Sequence, residues 1–252
     1  MAATKTSFPK TDVSYYWETV VFLVEDTVFK IPKYHFAKSS EVFESMFSLP
    51  QGDKEAEGNT DANPIRLEGI QAIDFRRFLK VLYPSQIPWR EDETTMDEWK
   101  SILKLATLWR FLTLRKFAID KLTSQEMDVT ERILMGREFS VSSWIKSGYS
   151  DLVSQDGPLS METAKSIGYE AAVRVFRARE AASRNNLKAY TNRRHGADLG
   201  RYVETEFADE LSRASKDGAV YQQEEEETSS MQSPDRRCKV VLPWSSDSDD
   251  SA

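Results

Sequence analysis

The 252-residue chain has one cysteine, two histidines and ten glycines. The single cysteine, Cys238, has no partner for a disulfide within the chain, which favours a reducing compartment. Structural zinc needs several cysteine or histidine ligands at short spacing, and this composition does not supply them. The glycines form neither Gly-x-Gly-x-x-Gly nor Gly-x-x-x-x-Gly-Lys-Ser/Thr. The sequence therefore predicts no metal, no cofactor and no catalytic motif.

Long apolar segments are also missing. The longest strongly apolar run, Val20–Val24, has five residues, whereas a bilayer span needs about 20. No apolar segment follows the first lysines, and there is no Asn-x-Ser/Thr acceptor site. We therefore expect an intracellular protein of the cytoplasm or nucleus that does not act at a membrane.

Net negative charge is absent outside the C-terminal fifth of the chain. Residues 202–252 hold thirteen acidic and five basic side chains, while residues 1–201 are nearly neutral, with 28 acidic and 29 basic ones. A basic segment, residues 184–201, precedes the acidic region with five cations and one anion. Such a segment binds phosphate backbones, serves as a localisation address or is a solvated linker neutralised by the acidic tail, and the linker is favoured. Without interleaved aromatic residues or a reading helix, sequence-specific recognition is unsupported. Nucleic acid is therefore not a predicted partner.

Strand signals are concentrated near the N-terminus. Thr19–Val24 and Val28–Ile31 are rich in β-branched and aromatic residues and are separated by a short polar turn, which predicts a hairpin. Pro32 ends the second strand because it has no N–H to donate. Residues 64–69 are predicted to form a brief third strand that returns to the sheet.

Helical periodicity follows. Ser39 or Ser40 can cap a short helix that stops at Pro50, and Thr94 or Thr95 can cap another. The last helix is predicted to run unbroken from Ser160 to about residue 180, with Ala172, Val173 and Phe176 as its buried face. Helices are predicted over residues 40–49, 70–83, 96–106, 111–122, 130–139, 143–153 and 160–180.

Beyond residue 183 the apolar pattern fades. We expect residues 184–252 to be largely disordered, with at most a transient helix near residues 202–213, because few of their side chains offset the entropy of ordering. Ser246 precedes two aspartates, the acidic setting that acidophilic kinases prefer, so it is a candidate phosphorylation site.

Residues 21–51 resemble the N-terminal signature of BTB/POZ domains, and most closely that of fungal members, in which the Ser-Leu-Pro-Gln ending is familiar. The match is an ordered series of apolar residues with one helix-capping serine. Its members are Phe29, Ile31, Phe36, Ser40, Phe43, Met46 and Phe47.

This resemblance implies an α+β fold in which a short β-sheet packs with helical hairpins. It divides the chain into a flexible N-terminus (1–13), a BTB/POZ domain (14–122), an α-helical extension (123–183) and a disordered tail (184–252). It also implies a homodimer, because family members pair through their first helices and an exchanged N-terminal strand. The candidate dimer or partner surface comprises Tyr15, Tyr16, Trp17, Phe36, Val42 and Phe43, with Tyr16 and Trp17 equally suited to covering the sheet as core residues.

Several family members have an acidic residue in the first strand and a His-Arg pair after the second, at the bottom of a ligand groove along the dimer. Glu18 and Lys33 stand near those positions, so they are a candidate groove charge pair, although the histidine is absent. The nearby histidine, His35, is interpreted as a surface or helix-contact residue. A groove function taken from transcriptional members therefore lacks part of its motif.

The function implied by the resemblance is a non-enzymatic protein–protein interaction module that acts as an adaptor, with a cullin scaffold of ubiquitin ligation as one partner. The helices after the domain supply the paired extension that cullin-binding members use, but the hydrophobic-x-Glu motif has no convincing match. The alternative is a transcriptional regulator that recruits partners through the dimer. An enzyme without a recognised motif is the third interpretation.

Overall fold

The computed structural model describes residues 10–12, 15–49, 56–84, 94–186 and 195–222. The predicted site Ser246 lies outside these residues. In the described ranges, no helix is both long and apolar enough to cross a bilayer. The elements are β1 (Thr19–Val24), β2 (Thr27–Pro32), α1 (Tyr34–Ser39), α2 (Glu41–Ser48), β3 (Ile65–Arg66), α3 (Ala72–Leu82), α4 (Met96–Leu108), α5 (Leu112–Thr123), α6 (Val129–Glu138), α7 (Ser142–Ser154), α8 (Met161–Ile167), α9 (Tyr169–Asn186), α10 (His195–Glu206) and α11 (Ala208–Ala219).

The sheet has three strands in the order β2-β1-β3. The predicted hairpin is confirmed: β1 and β2 pair antiparallel with Phe22 opposite Phe29, and β3 joins β1 in parallel. At the hairpin turn, Glu25 adopts a positive φ of 52°. Its side-chain Oε2 accepts the backbone N–H of Ala72 at 2.9 Å, where α3 begins. The turn therefore satisfies a helix terminus that has no cap of its own.

Polar caps fix where the helices begin. The Ser40 hydroxyl accepts the N–H of Phe43 at 3.2 Å and donates to the carbonyl of Trp109 at 2.5 Å. This one side chain both caps α2 and ties it to the end of α4. Thr95 forms a capping box with Glu98 at the start of α4. Both predicted caps are confirmed.

Two consecutive helical hairpins, α4–α5 and α6–α7, turn in the same way at positions 30 residues apart. In residues 109–111 and 139–141 an aromatic residue ends the first helix and an apolar residue starts the next. The middle residues, Arg110 and Ser140, have left-handed φ values of 53° and 54°. In each turn the third residue donates its N–H to the carbonyl five positions earlier, at 2.9 and 2.8 Å. The apolar periodicity of the sequence does not show that these two turns are alike.

Two apolar cores form, and hairpin α6–α7 contributes to both. The first core lies between the sheet and α1–α5 and extends to Phe139 and Trp144. The second lies among α7–α11 and includes Ile145, Tyr149 and Phe207. The α6–α7 hairpin therefore joins the sheet domain to the helices that follow it.

The prediction of one unbroken helix over residues 160–180 is wrong. Gly168 has a φ of 94°, which a residue with a side chain rarely adopts, and it separates α8 from α9. The predicted buried face is also only partly right. Ala172 is buried, whereas Val173 and Phe176 are exposed.

The prediction that residues 184–252 are largely disordered is wrong for residues 195–222. These residues form α10 and α11, which pack on α7 and α9, with Val203 and Phe207 fully buried. Four acidic side chains of the two helices pair with basic ones on α6, α7 and α9. The pairs are Glu204 with Lys146, Glu206 with Arg177, Asp209 with Arg174, and Glu210 with Arg137.

Candidate interaction surface

Four aromatic residues at the N-terminal edge of the sheet form an exposed group, the N-terminal aromatic surface: Tyr15, Tyr16, Trp17 and Tyr34. Their exposed fractions are 79%, 73%, 52% and 43%. The Trp17 ring stacks near Tyr34, with centroids 6.5 Å apart and planes at 27°, and Tyr15 lies 6.3 Å from Trp17. Tyr16 and Trp17 are therefore surface residues and do not cover the sheet as core residues.

The backbone holds this surface in place at the start of β1. The Lys33 N–H donates to the Glu18 carbonyl at 2.7 Å, which fixes the segment before β1 beside the start of α1. The side chains of the same two residues form an ion pair, with Lys33 Nζ 3.7 Å from Glu18 Oε2. Lys33 Nζ also lies 4.5 Å from the centre of the Phe47 ring. The structure thus brings together the two predicted groove residues, as an exposed pair of small energetic weight.

Tyr34 was missed by the sequence analysis, although it opens α1 and is central to the surface. Lys38 Nζ donates a hydrogen bond to the Tyr34 hydroxyl at 3.0 Å and lies 5.4 Å from the centre of its ring. The signal that could have found it is the four-residue spacing, which places both side chains on one helical face.

Val42 of α2 is 40% exposed and stays available as a surface residue, as predicted.

The prediction that Phe36 and Phe43 belong to a partner surface is wrong. Both side chains are buried, and their rings meet edge to face with centroids 4.7 Å apart. Phe22 lies within 6 Å of each of them. They therefore join the sheet to the helices. A linear pattern does not separate the two faces of helices as short as α1 and α2.

His35 lies beside the aromatic surface but faces Tyr83, whose ring centroid is 5.1 Å away. Partial burial, with a smaller effect from Lys38, lowers the pKa of His35, so the imidazole is neutral near pH 7. The Tyr83 hydroxyl donates to the carbonyl of Pro32. Burial raises the pKa of Tyr83 to about 12. His35 is thus a helix-contact residue, as predicted, and adds no charge to the surface at neutral pH.

A polar cleft of about 580 Å³ lies in the helical extension between α8, α9 and α11. On its wall, Arg137 donates to Glu210 at 2.7 Å, to the Ile167 carbonyl at 2.7 Å and to the Tyr149 hydroxyl at 2.5 Å. Burial, reinforced by Glu210, raises the pKa of Tyr149 far above its ordinary value. These charges satisfy one another within the fold. Among the described residues, no group of three potential metal ligands occurs.

The basic segment is only partly described. Arg184, its first member, forms an ion pair with Glu180 at 2.6 Å on the surface of α9. Lys188, Arg193 and Arg194 lie outside the described residues. Arg184 therefore lies at a solvated helix end, and Arg201 is exposed on α10.

Comparison with protein families assigns residues 14–126 to the BTB/POZ domain. The matched range contains the whole sheet, helices α1–α5 and the entire N-terminal aromatic surface. No curated protein and no solved structure matches the chain. The similarity to fungal members stays a prediction.

Proposed function

We propose that the chain self-associates through its N-terminal aromatic surface to present a dimeric adaptor, since residues 14–126 match the BTB/POZ domain, a protein–protein interaction module. The observation that supports this proposal is that Tyr15, Trp17 and Tyr34 are exposed with their rings next to one another, and that Tyr16 between them in the chain is exposed too. Tryptophan and tyrosine are enriched among the residues that dominate interface energies, and clustered exposed aromatics commonly mark binding sites.

Trp17 is the residue on which this proposal depends most. It contacts both Tyr15 and Tyr34, so its ring lies at the centre of the surface. We expect Trp17→Ala to raise the dimer dissociation constant about thirtyfold, the effect of losing about 2 kcal/mol of interface energy. Sedimentation velocity across a concentration series of the full chain measures this change.

Met161→Ala is the matched control, because Met161 is a large apolar residue that is 74% exposed on α8, outside the matched domain. Its self-association should equal that of the wild type. A wild-type chain that is monomeric at tens of micromolar would remove the proposed dimer, and an unchanged dissociation constant in Trp17→Ala would remove this surface from it.

The partner of the adaptor is a second part of the proposal. A cullin scaffold is supported by the paired helices α6 and α7, which follow the domain as they do in cullin-binding members. The alternative, a transcriptional regulator, is supported by the ion pair between Glu18 and Lys33 at the position of the family's groove pair. The two candidate partner classes therefore rest on different parts of the chain, the α6–α7 hairpin and the Glu18–Lys33 pair.

Affinity purification from native cells separates the two. Recovery of a cullin that is lost with Leu134→Arg, a charged substitution at an exposed position of α6, supports the adaptor. Recovery of chromatin factors that is lost with Lys33→Glu supports the regulator. If both variants still bind every partner, neither α6 nor the Glu18–Lys33 pair is the docking site.

A further inference from the structure

Helix α9 has two apolar faces, and the described residues of the chain cover one of them. The inner face places Ala171, Ala172, Val175 and Ala178 in the second core. The outer face carries Tyr169, Val173 and Phe176, which are 61%, 56% and 48% exposed. Their spacing of four and then three residues forms one straight row along the helix. Such a row of three large apolar side chains is typical of a helix–helix contact and not of a solvated face.

Two charged residues border this row on the same side. Glu170 follows Tyr169 and Arg177 follows Phe176, seven residues apart, so both lie along one edge of the row. Glu170 pairs with Arg174 at 2.7 Å and Arg177 with Glu206 at 3.5 Å. Both side chains are nevertheless largely exposed, at 82% and 66%. They can therefore reach a neighbouring molecule, although the partner of Arg177, Glu206, is itself only 18% exposed.

The order of these charges selects one arrangement of two helices. If a second α9 ran parallel, the charged edges of the two copies would lie on opposite sides of the interface, and neither residue could pair with its counterpart. If it runs antiparallel, Glu170 of each copy faces Arg177 of the other, which gives two equivalent ion pairs. The apolar row also matches itself when reversed, because an aromatic residue stands on each side of Val173. An interface of this kind is its own complement under a two-fold axis.

We propose that the outer face of α9 is a second self-association surface, on which α9 of another copy packs antiparallel. This surface lies outside the residues matched by the BTB/POZ family, and it is independent of the N-terminal aromatic surface. Together the two contacts would link dimers into larger assemblies, since each is a separate two-fold contact. The α9 contact alone would join two copies into a weak dimer.

Charge reversal with complementation tests this arrangement. The full chain is studied with Trp17→Ala throughout, so that the association measured does not depend on the N-terminal surface. We expect Glu170→Arg and Arg177→Glu each to weaken self-association about tenfold, because each places like charges opposite one another. An equimolar mixture of the two should restore association, since both cross-pairs are then between opposite charges. Sedimentation velocity measures the three samples.

Glu126→Arg is the control, a reversal at an exposed position before α6 that should change nothing. Thermal melting shows whether each variant is folded. If a reversed variant does not fold, Phe176→Gln removes the apolar contact at a half-exposed position and should weaken association on its own. Equal association of all variants, or failure of the mixture to recover, would overturn the proposal, and that pattern is expected if another protein or the chain's own C-terminal segment covers this face.

Discussion

Replacing Phe36 by alanine is expected to destabilise the chain by about 3–5 kcal/mol, a large part of the stability of an ordinary domain. The side chain is fully buried, and six aromatic rings have their centres within 6.4 Å of its own. These belong to Phe22, Phe43, Phe75, Phe78, Trp109 and Phe111. Truncation would leave a cavity that these rings cannot fill, because they are held by the sheet and by α3–α5. Urea denaturation followed by circular dichroism measures the loss.

Tyr34→Ala is the matched control, since Tyr34 stands on the same helix two residues earlier but is 43% exposed. It should cost about 1 kcal/mol or less in stability, as surface substitutions usually do, and should instead weaken self-association. The reverse outcome, in which Phe36→Ala stays stable but loses self-association, would return Phe36 to the partner surface and contradict its place in the core.

The second large effect is expected from Phe207→Ala. Phe207 is fully buried at the junction of α10 and α11, and its ring lies flat on Tyr149, with centroids 3.7 Å apart and planes at 14°. We expect a loss of about 3–5 kcal/mol in the packing of these two helices. The ion pair of Glu204 with Lys146 is about half exposed and adds little, so this apolar contact, with the Arg137–Glu210 pair beside it, supplies much of the attachment. Hydrogen exchange should show faster exchange in residues 199–219, with much less change in α4 and α5.

Lys216→Ala is the control for this experiment, because Lys216 is exposed on α11 and should leave the exchange pattern intact. If the amides of residues 199–219 already exchange in the wild type as fast as an unfolded chain, the two helices are not packed in solution. That result would restore the prediction of disorder for this stretch.

Local signals predicted the sheet domain well. The hairpin, the caps at Ser40 and Thr95 and the bounds of the helices from α2 to α7 follow from turn residues, capping side chains and apolar periodicity, all of which act over a few residues. The charge pair between Glu18 and Lys33 was expected from the family resemblance and not from a local signal.

The failures share a physical cause, namely that the deciding partner is distant in sequence. Phe36 and Phe43 were assigned to the partner surface because family members pair through their first helices. Which side of α1 and α2 is buried depends, however, on their packing against α3–α5. Val203 and Phe207 stand among charges that suggested disorder, yet Tyr149, about sixty residues earlier, provides the contact that orders them. Val173 and Phe176 show the opposite error, since apolar residues expected inside face outward.

The hairpin α6–α7, which contributes to both cores, lies just beyond the end of the BTB/POZ match. The segment held in common with other proteins ends at residue 126. Across that boundary, Arg115 donates to the Phe139 carbonyl at 2.5 Å and the Trp144 indole donates to Thr123 at 2.7 Å. The segment that matches the family is therefore shorter than the packed core that surrounds it. A recombinant fragment cut at residue 126 would lose part of its own interior.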